Sequence, residues 1–399
     1  MKEFYKDKLK NGPTILFEKR NLPIITIIAA TRVGAAHETE KIKGIAHFTE
    51  HMLFKGTPTR TQQQISSTIE KAGGILNGFT SEQITAFWCK LPSRHMTLGA
   101  NTIFDMVQNP KFDPKEIEKE KGVIVSEISR KHDLPQQWIF DKTKELLYKK
   151  PFALSVLGSK ETVNSFDRKS FTEWHKFYDP SDLIISVVGK ADFEEIRELV
   201  NKYFYKKSNP LPNLNIIFLN KKTQFIEKRK GIDQAHFTLA FHAPKLSESK
   251  RYGADVFNSI LGKGMSSWLF QEVREKRGWA YTIHSFMENE KDYGHCIIYA
   301  GIEKKNLKKV KEIVLKEIRR FKSLKQRDFE QAKEQCIGNW ELSVEDSETV
   351  AVNLTFQELA TKAEDFYDYS EKISDVRLQE VKNLAKIKNY VTVALVPEK

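Results

Sequence analysis

Apolar residues fall along this chain in two kinds of pattern: short β-branched runs and longer stretches with helical spacing. The two kinds recur in the same order in each half. The runs PIITIIAATRV (23–33) and HFTLAFHA (236–243) each predict a strand and are each followed by a helical stretch. ITAFWCKL (84–91) and GHCIIYAGI (294–302) predict a further strand. Long helices follow, and each half closes with a helix and a β-branched strand, in SFDRKSFTEWHKFYDPSDLIISVVG (165–189) and SDVRLQEVKNLAKIKNYVTVALVP (374–397).

Three landmarks align the halves. GIAHFTEHML at 44 matches GADVFNSILG at 253, FDPKEIEKEKGVIVSEI at 112 matches LKQRDFEQAKEQCIGNW at 324, and the two closing segments match each other. A period this long is a duplicated domain rather than a solenoid. SNPLPN (208–213), with two prolines among polar residues, reads as the linker. The expected fold is therefore α+β, with two homologous domains at 1–212 and 213–399, each a mainly antiparallel sheet packed with helices.

The length of 399 residues fits this division, since single cores stop growing well below that size. With 26 Phe and 12 Tyr the chain is folded rather than disordered. The net charge of +12 raises nucleic acid or an anionic surface as partners. Its basic residues are interleaved with acids, as in KEIEKEK, which marks solvated helix faces, and no nucleic-acid-binding motif accompanies them. Three scattered cysteines fit neither a disulfide framework nor a cysteine metal site. Together with an N-terminal stretch that lacks an apolar signal core and the absence of an 18-residue apolar run, they give a cytoplasmic expectation, with no membrane partner.

The candidate chemistry lies in the pentad His47-Phe48-Thr49-Glu50-His51. At 100° per residue His47, Glu50 and His51 share one helix face, with Ile45, Phe48 and Met52 opposite. Imidazoles at i and i+4 converge on one ion, and neutral imidazole suits Zn²⁺. A catalytic zinc takes three protein ligands, so a third must come from elsewhere. A helix starting at Pro114, with Asp113 as N-cap and Glu116 at N3, offers Glu120 and Glu127, which lie about 20° apart around it. One can ligate while the other supports it.

GIAHFTEHMLFKGT, followed some 70 residues later by EKEKGVIVSEI, resembles the pitrilysin or insulinase family of HxxEH zinc peptidases. More narrowly it resembles the short-chain members similar to the mitochondrial processing peptidase. The resemblance covers essentially the whole chain and implies a zinc endopeptidase with one Zn²⁺ per chain. By that resemblance His47, His51 and Glu127 bind the metal, Glu120 supports the site and Glu50 is the general base. GGILNGFTSEQITAFWCKL resembles the family's substrate-side edge strand, with Asn77 as a substrate-binding residue, though Gly78 and Phe79 depart from that pattern and equally read as a turn before a half-buried strand. In LGKGMSSWLFQEVREKRGWAY (261–281), Arg274 and Tyr281 match the pair that contacts substrate and stabilises the oxyanion. Taken alone, Arg274 reads as a surface ion-pair residue and Tyr281 as a core residue.

The second half has Val256, Ser259, Ile260 and Asn339 where the first has His47, Glu50, His51 and Glu127, so no second zinc site is expected. Full-length members of the family enclose substrate with four such domains. Two domains here imply a homodimer, or a hetero-pair with a degenerate relative, acting on peptides or unfolded segments. The rival reading is a non-catalytic peptide-binding or assembly subunit of the same fold.

Overall fold

The computed structural model describes residues 3–10, 12–204, 211–214 and 216–398; residues 208–210 of the linker candidate lie outside them. The fold is α+β and forms two compact units. Unit 1 comprises Met1–Ser129, Leu154–Asn215 and Ser343–Phe366, and unit 2 comprises Arg130–Ala153, Ile216–Leu342 and Tyr367–Lys399.

Unit 1 is built on six strands: β1 (Glu3–Lys8), β2 (Thr14–Lys19), β3 (Ile24–Thr31), β4 (Ile75–Thr80), β5 (Thr85–Pro92) and β6 (Leu183–Gly189). Their order is β1-β2-β6-β3-β5-β4, antiparallel except for the β2/β6 pair. β3 is central and has both faces covered, which is why it reads as one apolar run. Ile25, Ile27 and Ala29 join the core with Phe48, Met52 and Ile103 from helices on one side. Thr26 points the other way, where its hydroxyl meets that of Ser347 at 2.9 Å, at the start of the helix Ser347–Ala360.

Unit 2 repeats the plan with one strand fewer: β7 (Thr223–Arg229), β8 (Ala235–His242), β9 (Ala280–Asn289), β10 (Gly294–Ile302) and β11 (Val391–Pro397). The order β7-β11-β8-β10-β9, with β7/β11 parallel, reproduces β2-β6-β3-β5-β4. Its central strand β8 is covered by the helix Pro135–Leu147, where the Thr143 and Thr238 hydroxyls lie 2.6 Å apart.

Each half of the chain thus supplies the strands of one sheet, while one helix of each half belongs to the other compact unit. The helices Pro114–Asp133 and Gln326–Ser343 carry the chain across. The matching positions Ile117/Phe329, Glu120/Ala332 and Ile124/Cys336 are the buried residues of these two helices, in keeping with the repeated plan of the halves. No described helix is long and apolar enough to cross a membrane.

Candidate metal centre

The pentad lies on the helix Ile45–Leu53. Ile45, Phe48 and Met52 enter the core, which turns His47, Glu50 and His51 toward the helix Pro114–Asp133. The helix start is fixed by tertiary contacts rather than by a local cap. Gly44 sits at φ +99°, and a Cβ there would stand 2.6 Å from the Leu157 carbonyl oxygen, so only glycine fits. Glu38 accepts hydrogen bonds from the Gly44 and Ala46 N–H groups, at 3.1 and 2.7 Å, in place of an N-cap side chain. Lys43 pairs with Glu38 at 3.2 Å and donates to the Ala35 carbonyl at 2.7 Å. Burial pushes the Glu38 carboxyl up to about 7, against the opposing pull of Lys43 and the two N–H groups.

His47, His51 and Glu127 bring three ligand atoms within 4.8 Å of one another. The Glu127 Oε2 stands 3.8 Å from His47 Nε2 and 3.9 Å from His51 Nε2. Around a tetrahedral Zn²⁺, with bonds of about 2.0–2.2 Å, neighbouring donors stand about 3.3–3.6 Å apart. The two Glu127 separations exceed that by a few tenths of an ångström, and two imidazoles and one carboxylate within 4.8 Å of one another are a donor set that can close around such an ion.

The surroundings of the two glutamates differ. Glu120 Oε1 lies 2.8 Å from His51 Nδ1, so that nitrogen carries the proton and Nε2 is free to ligate. Glu120 Oε2 lies 2.6 Å from Lys55 Nζ. Burial opposes ionisation of Glu120, but the hydrogen bonds from His51 and Lys55 outweigh it and hold the carboxyl below its ordinary range. Burial also disfavours the charged form of His51, yet its bond to Glu120 and the nearby carboxylates raise its pKa. Glu50 is 9% exposed, and burial raises its pKa despite a 2.7 Å hydrogen bond from the Thr80 hydroxyl.

Asn77 lies on β4, an edge strand, and its Oδ1 accepts from the Gly78 N–H at 2.8 Å; it is not part of the donor cluster. Gly78 and Phe79 are strand residues, with Phe79 stacked on Phe356, 6.0 Å between centroids. Arg274 and Tyr281 belong to unit 2, where the guanidinium stands 5.4 Å from the Tyr281 ring centroid. Tyr281 is 75% exposed, not a core residue, because it opens an edge strand on its outward face. Val256 and Ile260 fill the core of unit 2, Ser259 donates to Gln335 at 2.7 Å, and among the described residues no second cluster of metal ligands occurs.

Lys55, Thr80, Glu38 and Lys43 were not evident from sequence. Lys55 alone carried a signal, as the next step of the 47, 51, 55 stripe. A cavity of about 800 Å³ beside the site, walled by Lys55, the loop after it, Lys111 and Glu116, contains none of the metal donors.

Comparisons with known proteins agree in kind. The model described as insulinase (peptidase family M16) matches residues 17–160, and that described as peptidase M16 inactive domain matches 165–336. An uncharacterized zinc protease of Bacillus subtilis, YmxG, is 30% identical over 94% of this chain and 93% of its own. An uncharacterized zinc protease of Rickettsia felis is 34% identical over 80% of this chain and 77% of its own. The crystal structure of a protease from Helicobacter pylori superposes with a TM-score of 0.91 at 20% identity, covering 99% of this chain and 100% of that one. A putative M16-like peptidase from Alicyclobacillus acidocaldarius gives 0.85 at 18% identity, covering 100% and 99%.

Proposed function

Because the chain belongs to the insulinase family, peptidase family M16, we propose that it is a zinc-dependent endopeptidase, with one ion held by His47, His51 and Glu127 and with Glu50 as general base. The observation that carries this reading is the convergence of those three donors with the buried Glu50 carboxylate beside them. A bound zinc supplies acidification of a water and polarisation of the scissile carbonyl. Thr80 occupies Glu50 Oε2, which leaves Oε1 to take the proton of that water and pass it to the leaving amine. Burial raises the Glu50 pKa, the direction that favours a group which must both accept and return a proton.

Substrate enters this reading as an extended peptide that adds to the open edge of β4, beside Asn77, by backbone hydrogen bonding. Arg274 and Tyr281 are assigned to the substrate backbone and the oxyanion, roles that a guanidinium and a phenol donor suit. Each chain holds one half with the donor set and one half with the Arg274 and Tyr281 pair. Two chains, as a homodimer or with a degenerate relative, would enclose peptides or unfolded segments in one chamber.

The test is cleavage of a quenched peptide library by wild type and Glu50→Gln, with metal content measured on both. The expected result is loss of cleavage in the variant with about one zinc per chain retained. A wild type that binds zinc and cleaves nothing in the library would sink the endopeptidase reading and favour the peptide-binding one.

A further inference from the structure

Two glutamates one heptad apart face the histidine pair, yet only Glu127 joins the donor set. Glu120 lies on the same helix face and is a carboxylate with two oxygens, so its exclusion needs a cause. Both of its oxygens are engaged, Oε1 by His51 and Oε2 by the Lys55 ammonium at 2.6 Å. Glu120 is 5% exposed, so neither oxygen is compensated by bulk water if Lys55 is lost. We propose that Lys55 is a positioning residue that decides which glutamate ligates the metal, by tethering Glu120 in its supporting place and leaving Glu127 as the third ligand. This rests on the zinc reading of the same site.

Lys55 is itself held in place. It follows the pentad helix one turn beyond His51, and its N–H donates to the Met52 carbonyl at 3.1 Å. The loop it opens is pinned by Asp105, which accepts from the Thr57 and Thr59 hydroxyls at 2.7 and 2.9 Å and pairs with Arg60. Lys111 N–H closes on the Gly56 carbonyl at 3.0 Å. An ammonium on a fixed backbone, with a side chain 17% exposed, is a preorganised tether rather than a mobile surface charge. Without it Glu120 Oε2 is an uncompensated buried anionic oxygen on a carboxylate held to the site only through the Oε1 bond to His51, and so a competing hard ligand.

The experiment uses the full chain as wild type, Lys55→Met, Lys55→Arg and Lys55→Met/Glu120→Gln, each loaded with Zn²⁺ and separately with Co²⁺. Zinc affinity is read by chelator competition and coordination by the visible absorption of cobalt, which weakens as coordination number rises. Lys55→Met is expected to show the weaker cobalt spectrum of an added carboxylate oxygen. Lys55→Arg keeps the wild-type spectrum, and the double variant, which lacks the competing carboxylate, regains it. If Lys55→Met does not fold, Lys55→Gln is read in the same way. An unchanged cobalt spectrum in the neutral variant overturns the inference, whether affinity falls or not, because loss of packing alone does not alter the ligand set. A wild type that binds neither metal overturns the zinc reading itself, and this inference with it.

Discussion

Units 1 and 2 share a strand order and a pair of crossing helices but differ at the positions that matter for chemistry. On the first helix His47, Glu50 and His51 stand opposite Val256, Ser259 and Ile260, and on the second Glu120 and Glu127 stand opposite Ala332 and Asn339. Glu120 and Ala332 are 5% and 4% exposed, so the same buried place is filled by a charge in one unit and a methyl group in the other. A buried carboxylate survives there only with partners, and unit 1 supplies His51 and Lys55. Apolar positions common to both units build the two cores, and the candidate metal centre is carried by positions that differ between them.

The largest expected effect comes from removing a donor. His51→Ala should abolish stoichiometric zinc by elemental analysis and with it all peptide cleavage, a greater loss than the removal of any outer partner, while the circular dichroism stays that of wild type. Glu120→Ala writes the residue of unit 2 into unit 1 and should weaken zinc binding by about 10–100-fold with the fold retained; unchanged affinity would show that Glu120 is a bystander. Gly44→Ala should destabilise the protein by about 1–3 kcal/mol, because φ is +99° and the new Cβ meets a carbonyl oxygen. Its counterpart Gly253 lies inside the helix Arg251–Leu261, where a Cβ meets its nearest neighbour at 3.4 Å. Gly253→Ala should be neutral or stabilise by up to about 1 kcal/mol, and denaturant midpoints of the two variants separate these cases.

A separate effect is one of pH. Glu38 titrates at about 7 when folded against an ordinary 4.5, so between these values the folded state holds the extra proton. Its contribution to stability therefore falls as pH rises from about 4.5 to about 7 and is flat on either side, with a slope of at most about 1.4 kcal/mol per pH unit. Glu38→Gln should remove that component from the pH dependence of the urea midpoint, and an identical slope in both proteins would show that Glu38 is ionised throughout.

Periodicity was enough to identify the pentad face, the carboxylate helix from Pro114, the central strands and the duplication, because each is a relation among residues within about one helix or strand, or a repetition of such relations. It also showed that unit 2 lacks donors, since Val256 and Ile260 carry no ligand atom. The exposure of Tyr281 was not apparent, because an edge strand and a central strand read alike along the chain. Nor were the helix Ser347–Ala360 over β3, the Glu38 anchor beneath the pentad or the Lys55 tether. These pairings join segments tens to hundreds of residues apart, and nothing in either partner's local pattern names the other. The presence of two glutamates on one helix face was legible from composition and spacing, but what distinguishes them comes from packing, which sets His51 and Lys55 against Glu120 and leaves Glu127 facing the histidines.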